Sequence, residues 1–429
     1  MNDQEAIRRH KTIFVQIASY RDDELVKTIE SCLNEAAYPD RLRFGIVHQW
    51  DEVTRDDLAA YKDDARFRIR EMPWQEARGV GYARYLCNTL YANEDFMMQI
   101  DSHMRFDQGW DSAVLDEWRL CHDPKAVLSA YPSPFEYKDE GEKKLPYGPT
   151  QLIIKKFSNG KIPIFKGVSV TRRSDGRLRK AMYVAGGFVF GEGRICQDVP
   201  YAKEVCFTGE EMVYSLRLFS HGYTIHTPNV LGVYHLYERP VSSRFWNDMP
   251  KAEEEVVRQH HAAMMTTNDT YLRQLFHGEL PDELGTVHTL REFENYSGIS
   301  FDKKRIHPGQ TAHDEPPYAY SDEWMEKDLE LRNIDILLDL TKLKDEYRHQ
   351  RPSVMWRVKL LAEHDLEVYS VDVPFDDLLA GDFHVTVQTE VPQLPVTCRV
   401  RPYYGGDEWD EPKVVAIEAV KAPEERGAA

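Results

Sequence analysis

The chain has 429 residues, 42% hydrophobic and 29% charged, the balance of a globular protein of two or three domains. Its formal charge of -18 opposes a nucleic-acid partner, because binding a polyanion needs a basic face. The opening MNDQEAIRRHKT lacks the apolar core of a signal peptide and no stretch reaches membrane-span length, so a cytoplasmic protein is expected.

Residues 12–19, TIFVQIAS, read as an apolar, β-branched strand. A helix follows, with Leu25, Ile29, Cys32, Leu33 and Ala36 on one face, Asp22 or Asp23 as its N-cap and Pro39 beyond its end. Residues 43–49, RFGIVHQ, complete a β-α-β unit, most simply parallel and right-handed. After Gly79 comes a helix whose apolar face is Tyr82, Tyr85, Leu86, Thr89 and Leu90, leaving Arg84 elsewhere. Arg84 either reaches a pyrophosphate or is a solvated surface arginine. The G-x-G at Gly79 and Gly81 lacks the third glycine and the preceding strand of a dinucleotide fingerprint.

Residues 96–100, FMMQI, have the uncharged, apolar character of a strand buried on both faces. Asp101-Ser102-His103 follows at once, at the strand end where open α/β sheets bind ligands. A carboxylate and an imidazole suit a divalent ion of the Mn²⁺ type, and a polar turn is the plainer alternative. A helix at 109–121 and a strand at 126–131 come next. Residues 132–163, rich in Pro, Gly, Lys and Glu, suggest a surface excursion over the active edge. The basic run 171–180, TRRSDGRLRK, reads as a solvated hairpin or a face toward an anionic substrate.

The pair Gly186-Gly187 interrupts an apolar strand, where glycine marks a close approach of backbone or ligand. Glu210 and Glu211 open a helix ended by His221-Gly222, either as dipole complements or projecting into a sugar pocket. His235 closes a short strand and gains a role only if the fold returns it to Asp101. Residues 251–277 read as helix, 307–323 as linker and 324–348 as a charged helical stretch. Beyond Pro352 the alternation of apolar and polar residues predicts a small β-sandwich. The expected domains are 1–265 (catalytic), 266–350 (helical extension and linker) and 351–429 (small β domain). The six cysteines form no C-x-x-C pair, so buried reduced thiols are expected rather than disulfides or structural zinc.

Five stretches carry a resemblance. They are FVQIASYRDDEL at 14–25, ARYLCNTLYANEDFMMQIDSHMRFDQGWD at 83–111, AGGFVFG at 185–191, GEE at 209–211 and HTPNVLGVYHLYER at 226–239. Together they resemble the GlcNAc-transferase family of the glycosyltransferase A (GT-A) fold, whose characterised members modify hydroxyproline of cytoplasmic proteins. They are more distantly similar to the polypeptide GalNAc-transferases. The resemblance spans roughly 10–305 and implies an α/β catalytic domain of GT-A type, with the C-terminal extension and small all-β domain outside it. It implies that Asp101, His103 and His235 hold Mn²⁺, or Mg²⁺, against the two phosphates of a UDP-sugar, with UDP-GlcNAc the first candidate. Ser19, Tyr20 and Arg21 would meet the uridine and Arg84 the donor, with Ser102 also in the donor site. Gly186 and Gly187 would line the sugar pocket, and Glu210 and Glu211 would join Arg84 as the catalytic set. The acceptor implied is a hydroxyl, with a hydroxyproline, Ser or Thr polypeptide among the candidates, and the transfer implied is retaining. Homo-oligomerisation stays open. Two other classes fit the residues alone: a hydrolase or oxygenase using Asp101, His103 and His235, and a noncatalytic carbohydrate-binding protein.

Overall fold

The computed structural model describes residues 10–138, 141–146, 148, 150–158, 162–170, 172–239, 243–306, 316, 332–348, 353, 355–361, 367–391, 395–405, 408–417 and 419–421. The chain forms two compact units, Met1–Ser321 and Asp322–Ala429.

The first unit is built on an eight-stranded sheet. Strand β1 (Ile13–Tyr20) pairs in parallel with β2 (Leu42–Trp50), and β2 with β3 (Phe67–Pro73). Helix α1 (Leu25–Asn34) makes the crossover from β1 to β2. On the other side of β1 lies β4 (Phe96–Ile100), also parallel and buried at all five residues. Alternate residues of β1 supply different cores, as strand geometry requires. Ile13, Val15 and Ile17 pack with Leu25, Ile29 and Trp110. Phe14 points the other way, with Met97, Val189 and Tyr214. Helix α2 (Val80–Asn88) covers that second face, its Cys87 packed on Val47. With helices on both sides, the strands read as continuous apolar runs.

Beyond β4 the sheet turns mixed. Strand β5 (Met104–Phe106) leaves the main sheet, and helix α3 (Trp110–Arg119) leads to β6 (Ala126–Ser129). The next residues depart from a simple surface excursion. Strands β7 (Ser133–Lys138) and β8 (Gly141–Lys144) form one hairpin, and β9 (Thr150–Ser158) and β10 (Ile162–Ser169) a second. Leu152, Ile153 and Ile154 of β9 are buried against Met212, Val213 and Leu216, so this hairpin is core for an apolar reason the surrounding Pro and Lys obscure.

The basic run also differs from a free hairpin. Its last residues enter β11 (Arg179–Ala181), which is paired with β13 (Thr224–Thr227) at the edge of the main sheet. Gly186 and Gly187 do not interrupt a strand. They stand just before β12 (Phe188–Glu192), which runs antiparallel to β4 with Phe188 opposite Ile100. An antiparallel strand begins where its neighbour ends, so the glycines lie at the carboxyl edge of β4. Helix α4 (Glu210–Ser220) starts at Gly209, which has φ of +95°, and His221-Gly222 ends it as expected.

Strand β14 (Val233–His235) joins β5 and β7 in a second sheet of order β5-β14-β7-β8. The helix Glu255–Phe276 crosses position 265, and Leu290–Ser297, with a Thr289/Glu292 capping box, also lies in the first unit.

In the second unit Arg332–Asp339 is a strand paired with His384–Val391 and Ala419–Lys421, which corrects the helical reading of 324–348. Only Thr341–Arg348 is helical among the described residues of that stretch. Alternating Ile336 and Leu338 explain the strand, because they enter a core with Trp356, Val358, Leu360 and Val400. Met355–Leu361 lies between Glu367–Pro374 and Thr397–Gly405 in the other sheet of this unit. The 307–323 linker reading falls almost wholly outside the described residues.

Candidate active site

Asp101 is the first residue beyond β4, at the carboxyl edge of the sheet. The chain turns at Ser102 and His103 into β5, and β5 pairs antiparallel with β14 so that Met104 stands opposite His235. That pairing closes a gap of 132 residues between the two histidines. Ligand atoms of Asp101, His103 and His235 lie within 4.8 Å of one another. The two Nε2 atoms are 3.0 Å apart, and His235 Nε2 is 3.2 Å from Asp101 Oδ2. Such spacings are those of neighbouring ligand atoms around one divalent ion with bonds of about 2.1 Å. Two imidazole lone pairs at this distance need a proton or a cation between them, so the donor set fits a metal.

The adjoining groups keep this set in place. Gly187 leaves room for it, since a Cβ there would stand 3.0 Å from Asp101 Oδ2 and 3.7 Å from His235 Cδ2. Burial alone would raise the Asp101 carboxyl, but the hydrogen bond from His235 and the Arg84 charge hold it well below the usual carboxylate range. Burial lowers His235, so its imidazole favours the neutral, ligating form.

Arg84 differs from a solvated helix arginine. Its guanidinium is buried, donating to Asp101 Oδ1 at 2.9 Å and to the Gly186 carbonyl at 2.8 Å, and pairing with Glu210. Burial works against its charge more than any single neighbour favours it, but Glu210 together with Tyr201, Asp101 and Glu211 outweighs burial and holds the guanidinium above its ordinary range. Glu211 accepts the Gly186 N–H at 2.8 Å. Loss of water around it, with Glu210 beside it, pushes the Glu211 carboxyl up to about 8. Glu210 and Glu211 are therefore committed to Arg84 and to the glycine turn.

The proposed nucleoside contacts lie along the end of β1. Ser19 is fully buried, and its Oγ has no partner among the described residues. Tyr20 packs edge-to-face on Trp74 and Phe245. Arg21, at φ of 47°, lies 4.7 Å over the Trp74 ring and binds Asp51 at 2.9 Å and Asp248 at 3.0 Å. Ser102 faces inward and donates to Asp22 at 2.6 Å.

Asp22, expected only as a helix cap, and Gln99, expected only as part of a buried strand, both belong to the site. Asp22 does not cap α1, whose N-cap is Glu24, although its Oδ1 accepts the Glu24 N–H at 3.1 Å. Gln99 ties the Gly186 carbonyl at 2.7 Å to the Tyr201 hydroxyl at 2.8 Å. A polar residue inside the apolar run 96–100 was the available signal.

The family model described as "Glycosyltransferase (GlcNAc)" matches residues 12–63 and 56–303, about two thirds of the chain. The chain belongs to this family. As a glycosyltransferase it is an enzyme, which sets aside the hydrolase, oxygenase and noncatalytic readings, and its first unit has the α/β architecture expected of a GT-A fold. No curated protein matches it. Among solved structures, this glycosyltransferase is similar to GalNAc-T7 with UDP, GalNAc and Mn²⁺, at 12% identity over 95% of this chain and 71% of that one, TM-score 0.49. It is also similar to S. aureus TarS 1–349 in complex with UDP-GlcNAc, at 10% identity over 61% of this chain and 74% of that one, TM-score 0.37. Among the described residues no helix is long and apolar enough to cross a membrane.

Proposed function

We propose that this glycosyltransferase transfers N-acetylglucosamine from UDP-GlcNAc to a hydroxyl of a cytoplasmic polypeptide, with retention and with Mn²⁺ held by Asp101, His103 and His235. The observation that carries this reading is the meeting of these three side chains at the carboxyl edge of the sheet in a chain of this family. When bound, the ion supplies positive charge beside the departing diphosphate without a proton transfer. Asp101 divides its work, giving Oδ1 to Arg84 and keeping Oδ2 on the side of the histidines. Arg84 thus acts on the carboxylate and on the Gly186 carbonyl, and the glycine turn lets Arg84, Glu210 and Asp101 approach the backbone closely where the donor sugar would bind. Tyr20 and Trp74 offer aromatic surface for the uridine, and the buried Ser19 Oγ offers it an unused polar atom.

In a retaining transfer the acceptor oxygen bonds the anomeric carbon on the face from which the diphosphate leaves. The acceptor proton passes to the leaving phosphate oxygen, and no enzyme nucleophile is required. The test is a panel of nucleotide sugars with Mn²⁺, scored for free UDP, since slow donor hydrolysis needs no acceptor. UDP release from UDP-GlcNAc that stops with EDTA is expected. Equal release in EDTA would remove the metal from this reading, and no release from any UDP-sugar would remove the donor.

A further inference from the structure

Asp22 stands two residues past β1, in the turn that enters α1, and its side chain is 3% exposed. Its two oxygens do different things. Oδ1 accepts the Glu24 N–H at 3.1 Å, which fixes the plane of the carboxylate. Oδ2 takes three donors: Ser102 Oγ at 2.6 Å, His103 Nδ1 at 2.7 Å and Arg239 Nη1 at 2.8 Å. Two of these come from the Asp101-Ser102-His103 turn, and the third from four residues beyond His235. One buried oxygen therefore gathers both segments that bring ligands to the site. Thr28 of α1 holds the same turn, donating to the Ser102 carbonyl at 2.8 Å and accepting the Met104 N–H at 2.8 Å.

We infer that Asp22 is the positioning residue of the metal site, fixing His103 in the Nδ1–H tautomer so that its Nε2 lone pair faces Asp101 and His235. The inference rests on the reading of those three residues as the metal-binding set. The chemistry is that of a carboxylate accepting the second N–H of a ligating imidazole. That hydrogen bond sets the ring's orientation and raises its basicity as a ligand, and its loss typically weakens metal affinity by about 10–100-fold. The site is asymmetric in this respect. His103 has a carboxylate behind it, whereas Nδ1 of His235 is buried with no partner among the described residues. A turn-forming aspartate would need only Oδ1. The three donors collected on Oδ2 serve the ligand segments.

Asp22→Asn keeps the shape but offers an amide donor to at least one group that itself donates. Mn²⁺ binding to the full chain, followed by the electron paramagnetic resonance of free Mn²⁺, should weaken about 10–100-fold in Asp22→Asn. The far-ultraviolet circular dichroism should stay that of the wild type. Wild type that binds and Asp101→Asn that does not, with Asp22→Asn binding as tightly as wild type, would overturn the inference and leave the metal site standing. Wild type that binds no Mn²⁺ would end the metal reading, and the inference with it. A second measurement needs no variant. In metal-free wild type labelled with ¹⁵N-histidine, His103 should carry its proton on Nδ1, and a neutral His103 protonated on Nε2 would overturn the inference even if Asp22→Asn fails to fold.

Discussion

Asp101 faces two clusters at once: through Oδ1 it meets Arg84, which in turn holds Glu210 and the Gly186 carbonyl, and through Oδ2 it meets His235 and, beyond it, His103. The first cluster is closed in charge, although Arg84 Nε has no partner among the described residues. Its cation has carboxylates and a carbonyl as partners, and it lies buried, as a charge removed from water must when it is paired. The second cluster gathers one carboxylate and two imidazoles, with nothing but one another to satisfy the facing nitrogens. The difference teaches which part holds the architecture and which part awaits a ligand. It also assigns the adjacent glycines, because a Cβ on Gly186 would strike Arg84 and Glu210 at 2.8 Å, whereas one on Gly187 would meet Asp101 and His235.

The sharpest test of this division is Arg84→Met. Removing the guanidinium strands Glu210 in a dry site, and breaking a buried pair from one side costs about 3–5 kcal/mol. Urea unfolding should show that loss in full. An arginine whose work was to grip the donor phosphates would behave otherwise, with stability nearly unchanged and donor KM raised.

Asp101→Asn should act mainly on chemistry. The fold should persist, since the asparagine oxygen still accepts from Arg84, while UDP release falls about 10²–10³-fold, equivalent to about 2.7–4 kcal/mol. A variant that kept its rate but unfolded at lower urea would place Asp101 in the closed cluster alone.

These two clusters were unequally legible in the sequence. The Asp-x-His motif lies at the end of an apolar run, so local pattern sufficed to place Asp101 and His103, and the short strand before His235 allowed its return. Arg84 fitted a phosphate contact or a solvated arginine equally because its partner Glu210 stands 126 residues away, and no local pattern reports a pairing of that range. The same limit hid Asp22, which has the local look of a helix cap while its second oxygen reaches residues 80 and 217 positions distant. Residues 150–154 and 332–339 were misread for a related reason. Their surroundings are polar or charged, and the apolar residues inside them, a run at 152–154 and an alternation at Ile336 and Leu338, gain meaning only from the layer they pack on.

The glycines give a matched pair of smaller effects. Gly187→Ala forces the Asp101 carboxylate to give way by a few tenths of an ångström, so Mn²⁺ affinity should fall about tenfold, or about 1.4 kcal/mol, with little change in melting temperature. Gly186→Ala should lower the melting temperature first, because neither the arginine nor its buried partner can retreat into water. The reverse assignment of the two phenotypes would break the comparison.

The most gradual expected effect is a pH dependence. In the metal-free protein the Glu211 carboxyl is pushed up to about 8, from an ordinary 4.5, by loss of water and the neighbouring Glu210. Across that interval the folded chain keeps a proton that the unfolded chain has released. Unfolding then releases a proton, so this group's contribution to stability falls as pH rises from about 4.5 to 8, by at most about 1.4 kcal/mol per unit. His235, lowered by burial, acts in the opposite direction below its ordinary 6.5, so the clean window is pH 6.5 to 8. Urea unfolding of EDTA-treated wild type should show stability declining across it, and Glu211→Gln, which still presents an oxygen to the Gly186 N–H, should flatten that decline. Parallel curves for the two proteins would mean that Glu211 is already ionised, and that the closed cluster carries one more negative charge beside Arg84 than its burial implies.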